Sequence, residues 1–171
     1  MKIFITGYMG AGKSSAGRKI ARRLGFEFID MDDEFERLQG VPVSEYLLEE
    51  GEELFREKER DLLKEICSRE GSLVVSTGGG TPCFYNNMEL INRSGISVYL
   101  EMHPKLLAVR LGEAKEERPL LNELKGGRLI QKISIHLEER KPFYEKALIT
   151  VKGENLDLAG LIEMINNKRK I

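Results

Sequence analysis

The sequence predicts a single α/β domain in which helices cover both faces of a parallel sheet. Two observations support this prediction: short apolar segments alternate with longer segments of helical periodicity, and a glycine-rich loop separates the first strand from the first helix. The chain has 171 residues, 41% of them hydrophobic, which is enough for one sizeable core. We therefore assign residues 1–171 to one domain.

Five segments have the apolar, β-branched composition of strands that are buried on both faces. They are residues 2–6, 26–29, 73–76, 96–100 and 147–151. Helical periodicity follows the first strand over residues 15–24 and is clearest in the charged stretch of residues 52–69. In a sheet of this kind, ligands bind at the carboxyl ends of the strands.

The loop after the first strand carries the phosphate-binding P-loop pattern. Residues 7–14 read GYMGAGKS and lie between a predicted strand and a predicted helix. The glycines let backbone N–H groups turn toward phosphate oxygens, and the positive end of the helix points to the same place. Lys13 would reach the β- and γ-phosphates, and the Ser14 hydroxyl would join a Mg²⁺ shell. The pattern predicts binding of a nucleoside triphosphate.

Carboxylates follow the second predicted strand, where residues 30–33 read DMDD. In an extended chain Asp30 and Asp32 project to the same side, so both can face the P-loop, and Asp33 and Glu34 are expected to be capping charges of the next helix. Many P-loop enzymes carry an acidic residue at the end of the third strand to orient Mg²⁺, but here that strand ends at Ser76. We therefore expect Asp30 to serve the metal.

The third strand runs into three consecutive glycines, Gly78, Gly79 and Gly80. At the ligand-binding edge they would let the backbone approach a small substrate closely, although a flexible turn is the simpler alternative. Residues 111–127 have a different character, because they are charged, contain an Arg-Pro break and end in Gly-Gly. This composition predicts a lid that excludes water from the phosphate site.

Composition narrows the functional class. The formal net charge of −1 gives no general affinity for nucleic acid or an anionic membrane, and no apolar run reaches the length of a membrane span. We expect no signal peptide, because the first strand starts at residue 2. Cys67 and Cys83 lack metal-ligand spacing and are expected to be reduced, in a cytoplasmic protein. His103 and His136 are not expected to be catalytic.

Together these motifs resemble the shikimate kinase family, whose members phosphorylate the 3-hydroxyl of shikimate with ATP in chorismate and aromatic amino-acid biosynthesis. The segments GYMGAGKSS, FIDMDDEFE, FREKE, STGGG, ERPLL and ERKPFY follow the family's order and spacing over about residues 2–151. The resemblance implies a three-layer P-loop kinase fold with sheet order 2-3-1-4-5. It also implies a substrate-binding helical region near residues 31–60, a lid near residues 111–127 and a monomeric state.

The resemblance also implies roles for individual residues. The catalytic residues would be Lys13, Asp32 and the lid arginine, Arg118. The residues that bind ATP would be Gly10, Ala11, Gly12, Lys13, Ser14, Ser15, Arg110 and Arg118. The residues that bind shikimate would be Asp32, Arg56, Gly78, Gly79, Gly80 and Arg140. The cofactor Mg²⁺ would be bound by Ser14 and Asp30.

Three segments depart from the family pattern. The P-loop ends Lys-Ser-Ser where the family usually has Lys-Ser-Thr, and Ser15 still supplies a hydroxyl. The interval 110–118 is about one residue longer than in common members. This difference affects the assignment of Arg110, which the resemblance would place against the adenine ring of ATP. The loop at residues 152–155 matches the family only loosely.

Two alternatives remain at this point. One is another small-metabolite or nucleotide kinase on the same scaffold, such as a gluconate-type or nucleoside-monophosphate kinase; the Asp-x-Asp motif together with the three glycines argues against it. The other is a catalytically idle nucleotide-dependent regulator. The presence of Lys13, Ser14, Asp32 and Arg118 argues against that class, because a non-catalytic protein does not need them.

Overall fold

The structure is a computed structural model that describes residues 1–113 and 126–168. These residues contain five strands, all paired in parallel, in the order β2-β3-β1-β4-β5. The strands are β1 (Lys2–Thr6), β2 (Glu27–Asp30), β3 (Leu73–Ser76), β4 (Ile96–Glu101) and β5 (Ile149–Lys152). The parallel sheet and its order are therefore confirmed.

Helices connect the strands and cover the sheet. They are α1 (Lys13–Leu24), α2 (Met31–Gln39), α3 (Val43–Ser68), α4 (Asn87–Ser94), α5 (Pro104–Glu113), α6 (Gly127–Tyr144) and α7 (Leu158–Lys168), and a 3₁₀ turn spans Thr81–Cys83. Among the residues described, no helix combines the length and apolar character that crossing a membrane requires.

The sheet divides the core into two clusters, which the alternation of strand side chains explains. Ile3 and Ile5 of β1 face the cluster formed with α1, α5, α6 and α7. Phe4, between them in the sequence, faces the cluster formed with α2, α3 and α4. The three-layer α/β/α architecture is thus confirmed.

Several predicted boundaries were wrong. Helix α1 begins at Lys13, two residues earlier than predicted, because Gly12 adopts the left-handed conformation at its N-cap. Helix α3 begins at Val43, well before residue 52, and continues through a kink at Gly51. Strand β5 begins two residues late, because the Ala147 amide still hydrogen-bonds back to the end of α6.

Candidate active site

The P-loop places Lys13 at the carboxyl end of the central strand β1. Gly10 and Gly12 have positive φ angles of 79° and 91°, and the Ala11 amide donates to the Tyr8 carbonyl at 3.1 Å. The Lys13 ammonium group, which is buried, donates to the same carbonyl oxygen, also at 3.1 Å. The lysine is thereby held against its own loop, as expected for a phosphate-binding lysine.

Two further segments lie against the P-loop on the side of β4 and β5. The Arg110 guanidinium of α5 is 3.4 Å from the Ala11 carbonyl oxygen and 3.5 Å from that of Gly10. Gly153, just after β5, lies so close that a Cβ atom there would be 3.4 Å from the Ala11 carbonyl oxygen. Arg110 and the loop at residues 152–155 therefore border the same side of the P-loop.

On the other side of the P-loop, two hydroxyl groups meet at the end of β3, beside the end of β2. The Ser14 hydroxyl oxygen is 3.3 Å from that of Ser76, and Asp30 is the register partner of Ser76. Within residues 1–113 and 126–168, no three His, Cys, Asp or Glu side chains are grouped to hold a metal ion. This donor set suits Mg²⁺, which usually keeps several waters and binds through one or two protein groups and substrate phosphates.

Asp30 has a structural role that the sequence prediction missed. It is the N-cap of α2, where its carboxylate accepts from the Asp32 amide at 3.1 Å. Asp33 and Glu34, which we expected to be capping charges, lie in the first turn of α2, and Asp33 also forms an exposed ion pair with Arg18 at 3.5 Å. Asp30 and Asp32 consequently do not belong to one extended segment, because the helix has already begun at Met31.

Asp32 lies in the first turn of α2 and faces the glycine loop after β3. A Cβ atom at Gly78 would be 3.0 Å from one Asp32 carboxylate oxygen. Solvent reaches Asp32, but the surrounding protein desolvates the carboxylate enough to raise its pKa to about 6. The positive charge of Lys13 opposes this rise, whereas neighbouring Asp30 and Glu59 add to it.

Arg56 of α3 is held by a buried carboxylate. Its guanidinium donates to Glu59 at 2.8 Å and lies 4.2 Å from the ring centre of Phe84. A Cβ atom at Gly80 would be 2.5 Å from the same guanidinium, so Arg56 packs directly against the backbone of Gly80. Glu59 also accepts from the Thr81 hydroxyl at 2.6 Å, which ties α3 to the glycine loop.

Arg140 of α6 approaches the same loop from the opposite side. Its side chain is buried, and its Nη1 atom has no hydrogen-bond partner among the described residues. The nearby Tyr144 hydroxyl donates to the Gly79 carbonyl at 2.5 Å, and burial raises the pKa of Tyr144 so that it stays protonated. Burial also raises the pKa of the Cys83 thiol, whereas Arg140 and Arg56 lower it, so both arginines lie near that thiol.

The structure therefore gathers most of the predicted residues at one edge of the sheet. Exposed Ser15 lies in the first turn of α1, and Arg118 and most of the predicted lid lie outside the described residues. Sequence reasoning missed Glu59 and Tyr144. The only signal for Glu59 was its place three residues after Arg56 on one helix, and Tyr144 had none beyond its place in the ERKPFY segment.

A parallel sheet of this order, with a P-loop after its central strand and arginine and aspartate side chains gathered near that loop, is typical of a kinase of the P-loop class. A family model described as shikimate kinase matches residues 9–166. The chain belongs to the shikimate kinase family.

Individual relatives agree with this assignment. A shikimate kinase from Bacteroides thetaiotaomicron is 45% identical over 157 residues, which cover 92% of this chain and 89% of the relative. A crystal structure of shikimate kinase from the same organism has a TM-score of 0.90 at 40% identity and covers 100% and 99% of the two chains. The structure of an Acinetobacter baumannii shikimate kinase in complex with shikimate has a TM-score of 0.84 at 36% identity, covering 96% and 90%.

Proposed function

We propose that this protein transfers the γ-phosphoryl group of ATP to the 3-hydroxyl of shikimate, giving shikimate 3-phosphate and ADP. The observation that carries the proposal is the buried Arg140 guanidinium, whose Nη1 has no partner among the described residues. A buried donor without a partner is costly, and a carboxylate is the ligand that a guanidinium binds best. Shikimate has one carboxylate, and Arg56 supplies a second planar donor beside the same cleft.

Asp32 is the residue that we assign to the reacting hydroxyl. Its carboxylate lies beside Gly78 and within electrostatic range of Lys13, so it stands between the glycine loop and the phosphate-binding lysine. It would accept a hydrogen bond from the 3-hydroxyl, orient it and take its proton. Because the transition state of phosphoryl transfer is loose, this orientation contributes at least as much as proton removal.

The phosphate side is assigned to the P-loop and its neighbours. The backbone of residues 10–15 and the Lys13 ammonium would bind the phosphates, with Arg110 beside them. Mg²⁺ would neutralise phosphate charge when bound, and Ser14 and Asp30 would hold it. Four further statements stay predictions from the sequence. They are the role of Arg118 as the lid arginine, a monomeric state, a cytoplasmic location and the single-domain organisation of residues 1–171.

The experiment is a coupled assay of ADP release with shikimate, gluconate and nucleoside monophosphates as acceptors. Arg56→Ala and Arg140→Ala should each cost about 2–5 kcal/mol in shikimate recognition, or roughly 30- to 5,000-fold in kcat/KM. The KM for ATP should change little. A shikimate amide, which lacks the negative charge, should be a poor substrate of the unmodified protein. Its kcat/KM should fall much less in the two arginine variants than the kcat/KM for shikimate.

Arg93→Ala is the matched control, because Arg93 is an exposed arginine that pairs only loosely with Glu89, at 3.8 Å. Lys13→Ala should abolish turnover without unfolding the protein. Preference for gluconate or a nucleoside monophosphate over shikimate would overturn the proposed substrate. If both arginine variants had a higher KM for ATP and an unchanged KM for shikimate, the two arginines would instead be assigned to ATP binding.

A further inference from the structure

Tyr8 connects the P-loop to helix α6 through its side chain. The side chain is buried, and its hydroxyl lies 2.9 Å from the Nδ1 atom of His136. The two rings also pack edge to face, with their centres 5.5 Å apart and an interplanar angle of 88°. A hydrogen bond and an aromatic contact thus hold the same pair in one geometry.

The same tyrosine ring is a packing surface for Arg140. The Arg140 guanidinium carbon lies 5.8 Å from the ring centre, within the range of a cation–π contact. His136 and Arg140 are four residues apart on α6 and therefore share one face of that helix. Arg140 Nη1 makes no hydrogen bond to the described residues, so the guanidinium is positioned by a side-chain hydrogen bond with Tyr144 and by packing on the Tyr8 ring.

The main chain of Tyr8 contacts the phosphate-binding lysine. Its carbonyl oxygen accepts from the Lys13 ammonium group, so one residue touches the phosphate-binding lysine through its backbone and α6 through its side chain.

We propose that Tyr8 and His136 are positioning residues that orient Arg140 toward the carboxylate of shikimate. This inference rests on the proposed function of Arg140. Neither residue touches the substrate in this assignment; the tyrosine ring supports the guanidinium, and the histidine fixes the ring. The structural alternative is that the pair only packs α6 against the P-loop. Variants of either residue would then lower the stability of the protein and change the KM values for both substrates alike.

The test uses full-length variants and separate KM values for the two substrates. Tyr8→Phe keeps the ring under Arg140 and removes the hydroxyl, and His136→Leu removes its nitrogen partner. Each should raise the KM for shikimate about three- to thirtyfold, with the ATP KM and kcat within roughly twofold. His136→Asn, which can place an amide oxygen near the position of Nδ1, should recover much of the loss.

The double variant Tyr8→Phe/Arg140→Ala separates action through Arg140 from a direct effect. It should be no worse with shikimate than Arg140→Ala alone, because interacting residues are non-additive. Ser134→Ala is the control on the same helix, since the Ser134 hydroxyl donates only to the Ile130 carbonyl of α6. It should leave both KM values unchanged.

The positioning role of Tyr8 and His136 and the proposed role of Arg140 can fail separately. Equal losses for ATP and shikimate, no recovery by His136→Asn, or an additive double variant would overturn the positioning role while leaving the substrate assignment intact. If Arg140→Ala itself left shikimate use unchanged, the proposed role of Arg140 would fail and the positioning role with it. Melting temperatures of all variants would identify any that lose activity by unfolding.

Discussion

At the scale of single residues, the surroundings of Asp32 change the pKa of its carboxylate. Desolvation by the cleft raises its pKa to about 6, and the charge of Lys13 keeps the rise from being larger. A carboxylate with a pKa near 6 is still ionised at neutral pH, yet it is a stronger base than an ordinary aspartate. Both properties suit a group that accepts a proton from an alcohol during phosphoryl transfer.

The first prediction concerns the pH dependence of turnover. Because only the ionised form of Asp32 can accept a proton, kcat/KM for shikimate should rise as the pH passes upward through about 6. Asp32→Asn should lower the rate by about 10²–10⁴, or less if orientation dominates, and should remove this rise. The measurement is a pH–rate profile of both proteins at saturating ATP and low shikimate.

Asp33→Asn is the matched control for this prediction, because Asp33 is the adjacent carboxylate and forms only an exposed ion pair with Arg18. It should keep both the rate and the profile of the unmodified protein. A profile that stays the same after Asp32→Asn would mean that another group titrates, and Asp32 would lose its assignment as the base.

At the scale of elements, a kink in α3 separates the start of the helix from the segment that carries Arg56. Gly51 has φ 84° and ψ 167°, between a first segment that begins at Val43 and a second segment that carries Arg56 and Glu59. This backbone conformation is almost exclusive to glycine. Both segments contribute to the same core cluster, the first through Tyr46 and the second through Leu63.

The second prediction is that Gly51→Ala destabilises the protein. A Cβ atom there would meet no atom within 4 Å, so the expected loss comes from the backbone alone and should be about 1–3 kcal/mol. Urea denaturation measures it. Exposed Glu50→Ala, the neighbouring control, should change the free energy of unfolding by less than about 0.5 kcal/mol. Unchanged stability in Gly51→Ala would show that the kink is not required.

At the scale of the whole molecule, the candidate site draws its residues from helices on both faces of the central sheet. Helices α2 and α3, which carry Asp32 and Arg56, pack on the face that contains Phe4. The P-loop helix α1 and the Arg110 helix α5 pack on the face that contains Ile3 and Ile5, as does α6 with Arg140. The site therefore lies where elements from both faces meet at the end of β1.

The third prediction follows from the different ligands proposed for Lys13 and Arg56 and concerns ligand-induced stabilisation. A ligand at one hundred times its Kd stabilises the folded state by about 2.7 kcal/mol, which raises the melting temperature. In Lys13→Ala, MgATP should lose most of this effect while shikimate keeps it. In Arg56→Lys, where the forked donor is lost but the charge remains, the opposite pattern is expected.

Each variant is compared with its own ligand-free melting temperature, which corrects for any direct change in stability. Loss of both ligand effects in either variant would contradict the assignment of Lys13 and Arg56 to different ligands. Thermal unfolding of the unmodified protein with each ligand alone provides the reference.

Much of the fold could be predicted because it depends on contiguous residues. The P-loop needs only a local run of glycines followed by Lys13, and buried parallel strands have a continuous apolar composition that is visible in a single segment. The order of the strands is a non-local property, and it was predicted only through the resemblance to a family. Helix boundaries depended on caps, and the role of Asp30 as a cap was not recognised.

What only the tertiary structure decided is which distant side chains meet. Arg56 stood out in its motif, but its orientation depends on buried Glu59 and on the close approach of Gly80. The contact of Tyr8 with His136 joins residues 128 positions apart. Such pairs depend on how helices pack on the sheet, and packing is set by the volume and shape of the whole core and not by any local pattern. The sequence by itself thus determined the chemistry available, and the packing of α3 and α6 around β1 determined how that chemistry is oriented.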